Sequence, residues 1–301
     1  MSTTGRTRRK PTFDAIDFAV RSIGITSFAD LDAGPTYGEH ALYAIDQPGV
    51  TAGALADART ARSRAQVLDV IEYATERPGL RVVDGDALDR ATIDEIGSVD
   101  AVFLFNLLLH AVAPDWDRVL ELYAEHTSCF VIGNPQWRGG AETVRLFDLG
   151  RERYLEAVPV STPNRGLFDR LDEWSPAEQR PQRDSRSVWQ WGITDAGLKG
   201  KLEELGFRLD FERSLGGFSG AEAFENKAFV FSREDRPPTG IEESARVSEL
   251  SRSLATAERE RDELRGRVAD LEGTLEDVLE SSSWKLAAPL RAAKRALRRK
   301  Q

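Results

Sequence analysis

Seven residues, Asp32-Ala33-Gly34-Pro35-Thr36-Tyr37-Gly38, close an apolar run that starts at Ser27 and lead into a helix-like segment reaching Ile45; a second apolar run, Val50 to Ala56, ends at Asp57. Glycines let a backbone bend tightly and approach a ligand closely, and an acidic side chain about 20 positions past such a turn can hold the hydroxyls of a ribose. Turn and carboxylate together predict a pocket for a nucleoside cofactor, the alternative for Asp57 being a helix cap. His110 lies four residues past Asn106. Imidazole titrates near neutrality and suits proton transfer, although a histidine beside Leu107, Leu108 and Leu109 also fits a core position. His40 and His126 fall within expected helices, and the single Cys129 lies in an apolar run. No cluster of cysteine and histidine with zinc-ligand spacing exists, so no metal is expected.

These residues need a scaffold, and the hydrophobic pattern supplies one. Leu80 to Ala87, Val99 to Phe105 and Cys129 to Ile132 join the two earlier runs as short, near-continuous apolar stretches, the mark of parallel strands buried on both faces. Helix-length segments, such as 57–75 and 115–126, alternate with them and predict an α/β doubly wound sheet. Ligands of open parallel sheets bind beyond the carboxyl ends of the strands. That rule nominates Asp32 to Gly38, Asp57, Asp86 with Ala87 (Asp86 could also cap the next helix), Asn106 to His110, and Asn134 to Trp137. A polar insertion over about 138–187 follows, then Ser187 to Thr194, an amphipathic helix from Asp195 to Glu204, Gly206-Phe207, and strands at Arg208 to Glu212 and Lys227 to Phe231.

The Asp32–Gly38 turn resembles the Asp-x-Gly-x-Gly-x-Gly signature of class I S-adenosylmethionine (SAM) methyltransferases, with Thr36 in place of the middle glycine. The segment from Asn106 to Trp116 resembles the stretch after the fourth strand of small-molecule methyltransferases. Asn134-Pro135-Gln136-Trp137 and Trp189-Gln190-Trp191-Gly192-Ile193-Thr194 resemble the Asn-x-Gln-Trp and Trp-Gln-Trp-Gly-Ile-Thr motifs of one methyltransferase-like clade. The resemblance covers roughly Phe13 to Arg233 and implies a Rossmann-like, seven-stranded, mostly parallel sheet ending in an antiparallel strand. It implies SAM as cofactor: Asp32, Gly34 and Gly38 around its amino-acid part, Asp57 on the ribose, Asp86 and Ala87 at the adenine, Asn106 nearby, and His110 as the base. Trp137, Trp189, Gln190 and Trp191 would offer flat rings and amides to a saccharide acceptor, unless the tryptophans merely pin the insertion to the sheet. A turn with bulky Pro35 and Tyr37 fits a pyrophosphate poorly, which disfavours an NAD-linked enzyme. Thr36 leaves open a methyltransferase-like scaffold without activity.

Beyond a linker at 234–241 with Pro237-Pro238-Thr239-Gly240, the residues Val247, Leu250, Leu254, Ala257, Arg261, Leu264, Val268, Leu271, Leu275 and Val278 recur in steps of three and four, all apolar but Arg261. This heptad pattern over 242–280 predicts a coiled coil and a homo-oligomer, a lone packed helix being the alternative. The tail at 281–301 resembles the Ser-x-Ser-Trp-Arg-x-Thr-x-Pro-Leu-Arg end of bacterial surface-polysaccharide enzymes. From Trp284 onward it carries seven basic residues and no acid, and the preceding part of the chain has 34 basic against 50 acidic residues. An acidic body repels nucleic-acid phosphates, whereas the basic amphipathic end could touch anionic lipid or simply be solvated. Residues 1–12 are basic and expected to be flexible. With 301 residues, one cysteine, no apolar signal core and no spanning run, the expectation is a cytoplasmic protein with at most peripheral contact at the inner membrane face.

Overall fold

The computed structural model describes residues 10–31, 38–57, 77–159, 166–176, 178–218 and 220–233, with backbone alone at 57 and 218. Asp32, Gly34, all but the first residue of the helix expected over 57–75, the coiled coil and the basic tail lie outside these residues.

The chain opens with α1 (Phe13–Phe18), which continues through a π-helical turn at Ala19–Ile23. Then follow β1 (Ser27–Leu31), α2 (Glu39–Ile45), β2 (Ala52–Asp57), β3 (Leu80–Asp84), α3 (Arg90–Ile96), β4 (Val99–Phe105), α4 (Trp116–Ala124) and β5 (Thr127–Trp137). The insertion holds β6 (Val144–Arg145), α5 (Arg151–Ala157), β7 (Trp174–Ser175) and β8 (Arg180–Pro181), and the segment that follows it holds β9 (Trp191–Gly192). The chain then forms α6 (Asp195–Glu204) and the long hairpin β10 (Phe207–Phe218) and β11 (Ala221–Arg233).

Seven strands make one sheet in the order β10-β11-β5-β4-β1-β2-β3. β1 to β5 run parallel, and β11 is antiparallel to both β5 and β10. A mostly parallel seven-stranded sheet with flanking helices is the Rossmann-like architecture expected of a class I methyltransferase. Period-two alternation explains its stability. Ala29, Leu31, Val102, Leu104, Phe130 and Ile132 face the core shared with α3, α4 and α6, while Phe28, Phe103, Phe105, Cys129 and Val131 face the core shared with α1 and α2. Both faces are therefore apolar, and each fully buried phenylalanine contributes roughly 1.5–3 kcal/mol. Asp100 pins β1 to β4: its Oδ2 accepts from the Thr26 and Ser27 amides at 2.8 and 3.1 Å, and its own amide donates to Ser27 Oγ at 2.9 Å.

β4 and α6 have the bounds read from the sequence, but β5 runs well past Ile132. Its polar extension, Asn134 to Trp137, pairs with Phe224 to Lys227 of β11. The extension exists because the terminal hairpin reaches beyond β4 and supplies ladder partners, a tertiary cause that local hydrophobicity does not register.

Candidate active site

The sheet reverses direction of growth at β1, which pairs with β2 on one side and β4 on the other. Such a switch point leaves a crevice outside the carboxyl ends of the two strands. Gly38 enters α2 from this edge with φ 68°, a left-handed conformation that glycine adopts without the steric cost of a Cβ. The backbone of Asp57 closes β2 opposite Asp84 of β3, so the residue ends the strand adjacent to β1.

Past β3, Asp86 Oδ1 accepts the Leu88 amide at 3.0 Å, a local cap. Its other oxygen pairs with Arg186 of the insertion. Ala87 is buried and its carbonyl accepts the Tyr123 hydroxyl; burial pushes that phenol well above its ordinary range, so it stays a donor.

Past β4, Asn106 takes φ 59° while its amide donates to the Gly133 carbonyl at 2.7 Å. It is exposed at the strand end. A one-turn 3₁₀ helix, Leu108–His110, follows, with Leu108 and Leu109 buried. His110 is half-buried, and its Nδ1 lies 2.8 Å from the Val188 carbonyl. A carbonyl can only accept, so Nδ1 carries the hydrogen and the lone pair of the neutral ring is on Nε2. That tautomer is the one a proton acceptor needs.

The aromatic and amide group is dispersed. Trp137, 7% exposed, and Trp189 both pack on Phe224, with ring centroids 5.1 and 4.8 Å away. Gln190 is fully buried and donates its amide to the Arg183 and Ser185 carbonyls at 3.0 and 2.7 Å. Trp191 is half-buried and turns Nε1 to the Ala111 carbonyl at 2.9 Å, beside His110. Trp137 and Trp189 pack on β11, whereas Gln190, whose backbone amide donates to the Leu109 carbonyl at 2.9 Å, and Trp191 both adjoin the loop after β4.

Two features escape sequence reasoning. His40, the second residue of α2, stacks on Phe105 with centroids 3.7 Å apart and places Nε2 3.0 Å from Thr12 Oγ1. It is 4% exposed, and burial, with Lys10 adding to it, lowers its pKa to about 3. Arg186 reaches Asp86 across one hundred residues of chain, a pairing that no periodicity signals.

No family model matches the chain, and no curated protein matches its sequence. Among solved structures, the N-terminal domain of EvdMO1 in the presence of S-adenosylhomocysteine (SAH) and D-fucose is 21% identical over 76% of this chain and 84% of its own, with a TM-score of 0.47. An O-methyltransferase family protein from Burkholderia thailandensis is 14% identical over 74% of this chain and 55% of its own, at 0.45. The 1,6-didemethyltoxoflavin-N1-methyltransferase of Burkholderia thailandensis, with 1,6-didemethyltoxoflavin and SAH bound, is 12% identical over 74% and 77%, at 0.44.

Proposed function

We propose that the chain is a SAM-dependent methyltransferase that modifies a hydroxyl of a saccharide. The reading rests above all on His110, a histidine whose tautomer is set by Val188 just past the strand that borders the sheet's reversal. The crevice suits an adenosine: a left-handed glycine admits close backbone approach, Ala87 is small, and carboxylates end or follow β2 and β3. When bound, SAM supplies a methyl group activated by a sulfonium. Gly34, Gly38 and Asp32 would border its amino-acid part, Asp57 would hold the ribose, and Asp86, Ala87 and Asn106 would position the rest. His110 Nε2 would take the acceptor's hydroxyl proton, with Trp191 at the rim offering a ring face to the sugar and Trp137, Trp189 and Gln190 supporting it from behind.

The sequence past 241 extends this reading. The heptads would join copies of the chain, and the tail's likeness to polysaccharide-assembly enzymes favours an acceptor in cell-surface glycan synthesis, with the cationic end resting on the inner membrane face. Among the described residues no helix is long and apolar enough to cross a membrane.

A second reading, a methyltransferase-like scaffold without activity, is favoured by Thr36 in the glycine turn. Calorimetric titration decides between them. SAH should bind the full chain, and Asp57→Ala should weaken it by about 1–3 kcal/mol through lost ribose hydrogen bonds. Absence of binding to the unaltered protein would leave the scaffold.

A further inference from the structure

The end of the insertion and the segment that follows it grip the loop after β4 residue by residue. The Gln190 backbone amide donates to the Leu109 carbonyl at 2.9 Å, His110 Nδ1 to the Val188 carbonyl at 2.8 Å, and Trp191 Nε1 to the Ala111 carbonyl at 2.9 Å. Arg180 Nη1 and Arg186 Nη2 complete the series on the carbonyls of Val112 and Ala113 at 3.3 and 3.4 Å. Five consecutive residues, Leu109 to Ala113, are thus bonded to a strap formed by residues 180–191. The strap also reaches beyond β3 through the ion pair of Arg186 with Asp86. Just ahead of the strap, Glu178 accepts the Arg186 backbone amide at 2.9 Å, which fixes where the guanidinium starts. Arg186 Nε is buried without an acceptor, and an uncompensated donor weighs against the seated arrangement.

We propose that Arg186 is a positioning residue that couples occupancy of the adenine end of the crevice to the seating of this strap, and through Val188 to the orientation of His110. The inference rests on the methyltransferase reading, since it takes Asp86 as the adenine-side carboxylate. A carboxylate has about four acceptor positions. The Leu88 amide and Arg186 use one on each oxygen, so an exocyclic amine of adenine can join without displacing the guanidinium. Arg186 and the cofactor each order the same carboxylate for the other. Coupling of this kind is reciprocal: whatever factor the cofactor gains from a seated strap, the strap gains from bound cofactor.

Hydrogen exchange at the Gln190 backbone amide, with SAH as the probe ligand on the full chain, tests this. Saturating SAH should slow exchange several-fold in the unaltered protein and leave it nearly unchanged in Arg186→Gln, whose dissociation constant for SAH should rise by the same factor. Arg186→Lys keeps a charge for Asp86 and should retain most of the slowing. Equal slowing in Arg186→Gln and the unaltered protein, or a loss in Arg186→Lys as large as in Arg186→Gln, would overturn the coupling while the cofactor reading stands. If SAH fails to bind the unaltered protein, both fall together.

Discussion

Two histidines flank the end of β4, and their surroundings differ in kind. His40 is sealed between α2 and the sheet, stacked on Phe105 and edge-on to Phe13 at 5.9 Å, with a hydroxyl as its polar contact. Desolvation disfavours the cation, so the ring stays neutral far below physiological pH. His110 emerges on the other side of the same strand end, half-buried, with a backbone carbonyl fixing its tautomer. One imidazole has become an aromatic packing unit; the other keeps the arrangement of a proton acceptor. Residue type alone does not distinguish them. What does is whether the ring lies under a helix or on a loop at the carboxyl edge of the sheet.

The largest expected effect breaks the second half of this contrast. His110→Ala should lower turnover by roughly 10²- to 10⁴-fold, the usual contribution of a positioned general base, with SAH affinity unchanged. Single-turnover rates on an accepted saccharide together with SAH titration would check it; undiminished turnover would remove His110 from the chemistry. His40→Phe, by contrast, should leave the pH dependence of turnover as it was.

The sheet was legible before the structure because its signal is local: Val99 to Phe105 is apolar at every position except Asp100, and that exception ties β1 to β4. Gly38 just ahead of α2 and Asp57 at the end of β2 border elements whose apolar pattern is likewise local. The insertion and the segment that follows it were not legible in this way. Their short strands of two residues, β6 to β9, carry no period, and their role emerges only where Val188, Trp191 and Arg186 meet residues 109–113 and 86. His40 was legible only as a residue on a helix, because its partners Thr12, Phe13 and Phe105 come from three separate segments.

A smaller effect sharpens the first half of the contrast. His40 titrates near 6.5 when unfolded and at about 3 when folded, so as pH falls below 6.5 the unfolded chain takes up the proton first. Its contribution to stability is complete above about pH 6.5 and is lost through the window down to about 3, at roughly 1.4 kcal/mol per pH unit. Between pH 6.5 and 5 the loss is on the order of 2 kcal/mol. Urea denaturation across that range should show this extra slope in the unaltered protein and not in His40→Phe. Parallel pH profiles would mean that His40 is not desolvated as described.

The smallest effect concerns Asn106, which separates the two histidines by turning the chain immediately after Phe105. A Cβ at φ 59° costs about 1–2 kcal/mol for an ordinary L-residue, less for asparagine, whose short side chain can hydrogen-bond locally. Asn106→Ala should therefore destabilise the fold by about 1 kcal/mol. Asn106→Gly removes the strain but frees the unfolded chain, two opposing effects of similar size, and should change stability by no more than about 0.5 kcal/mol. If Asn106 also touches the cofactor, alanine and glycine should weaken SAH binding alike, since both lack the carboxamide. A stability difference with equal binding losses would assign Asn106 both tasks; binding untouched in Asn106→Gly would leave it only the turn that sets Phe105 toward His40 and carries the chain onward to His110.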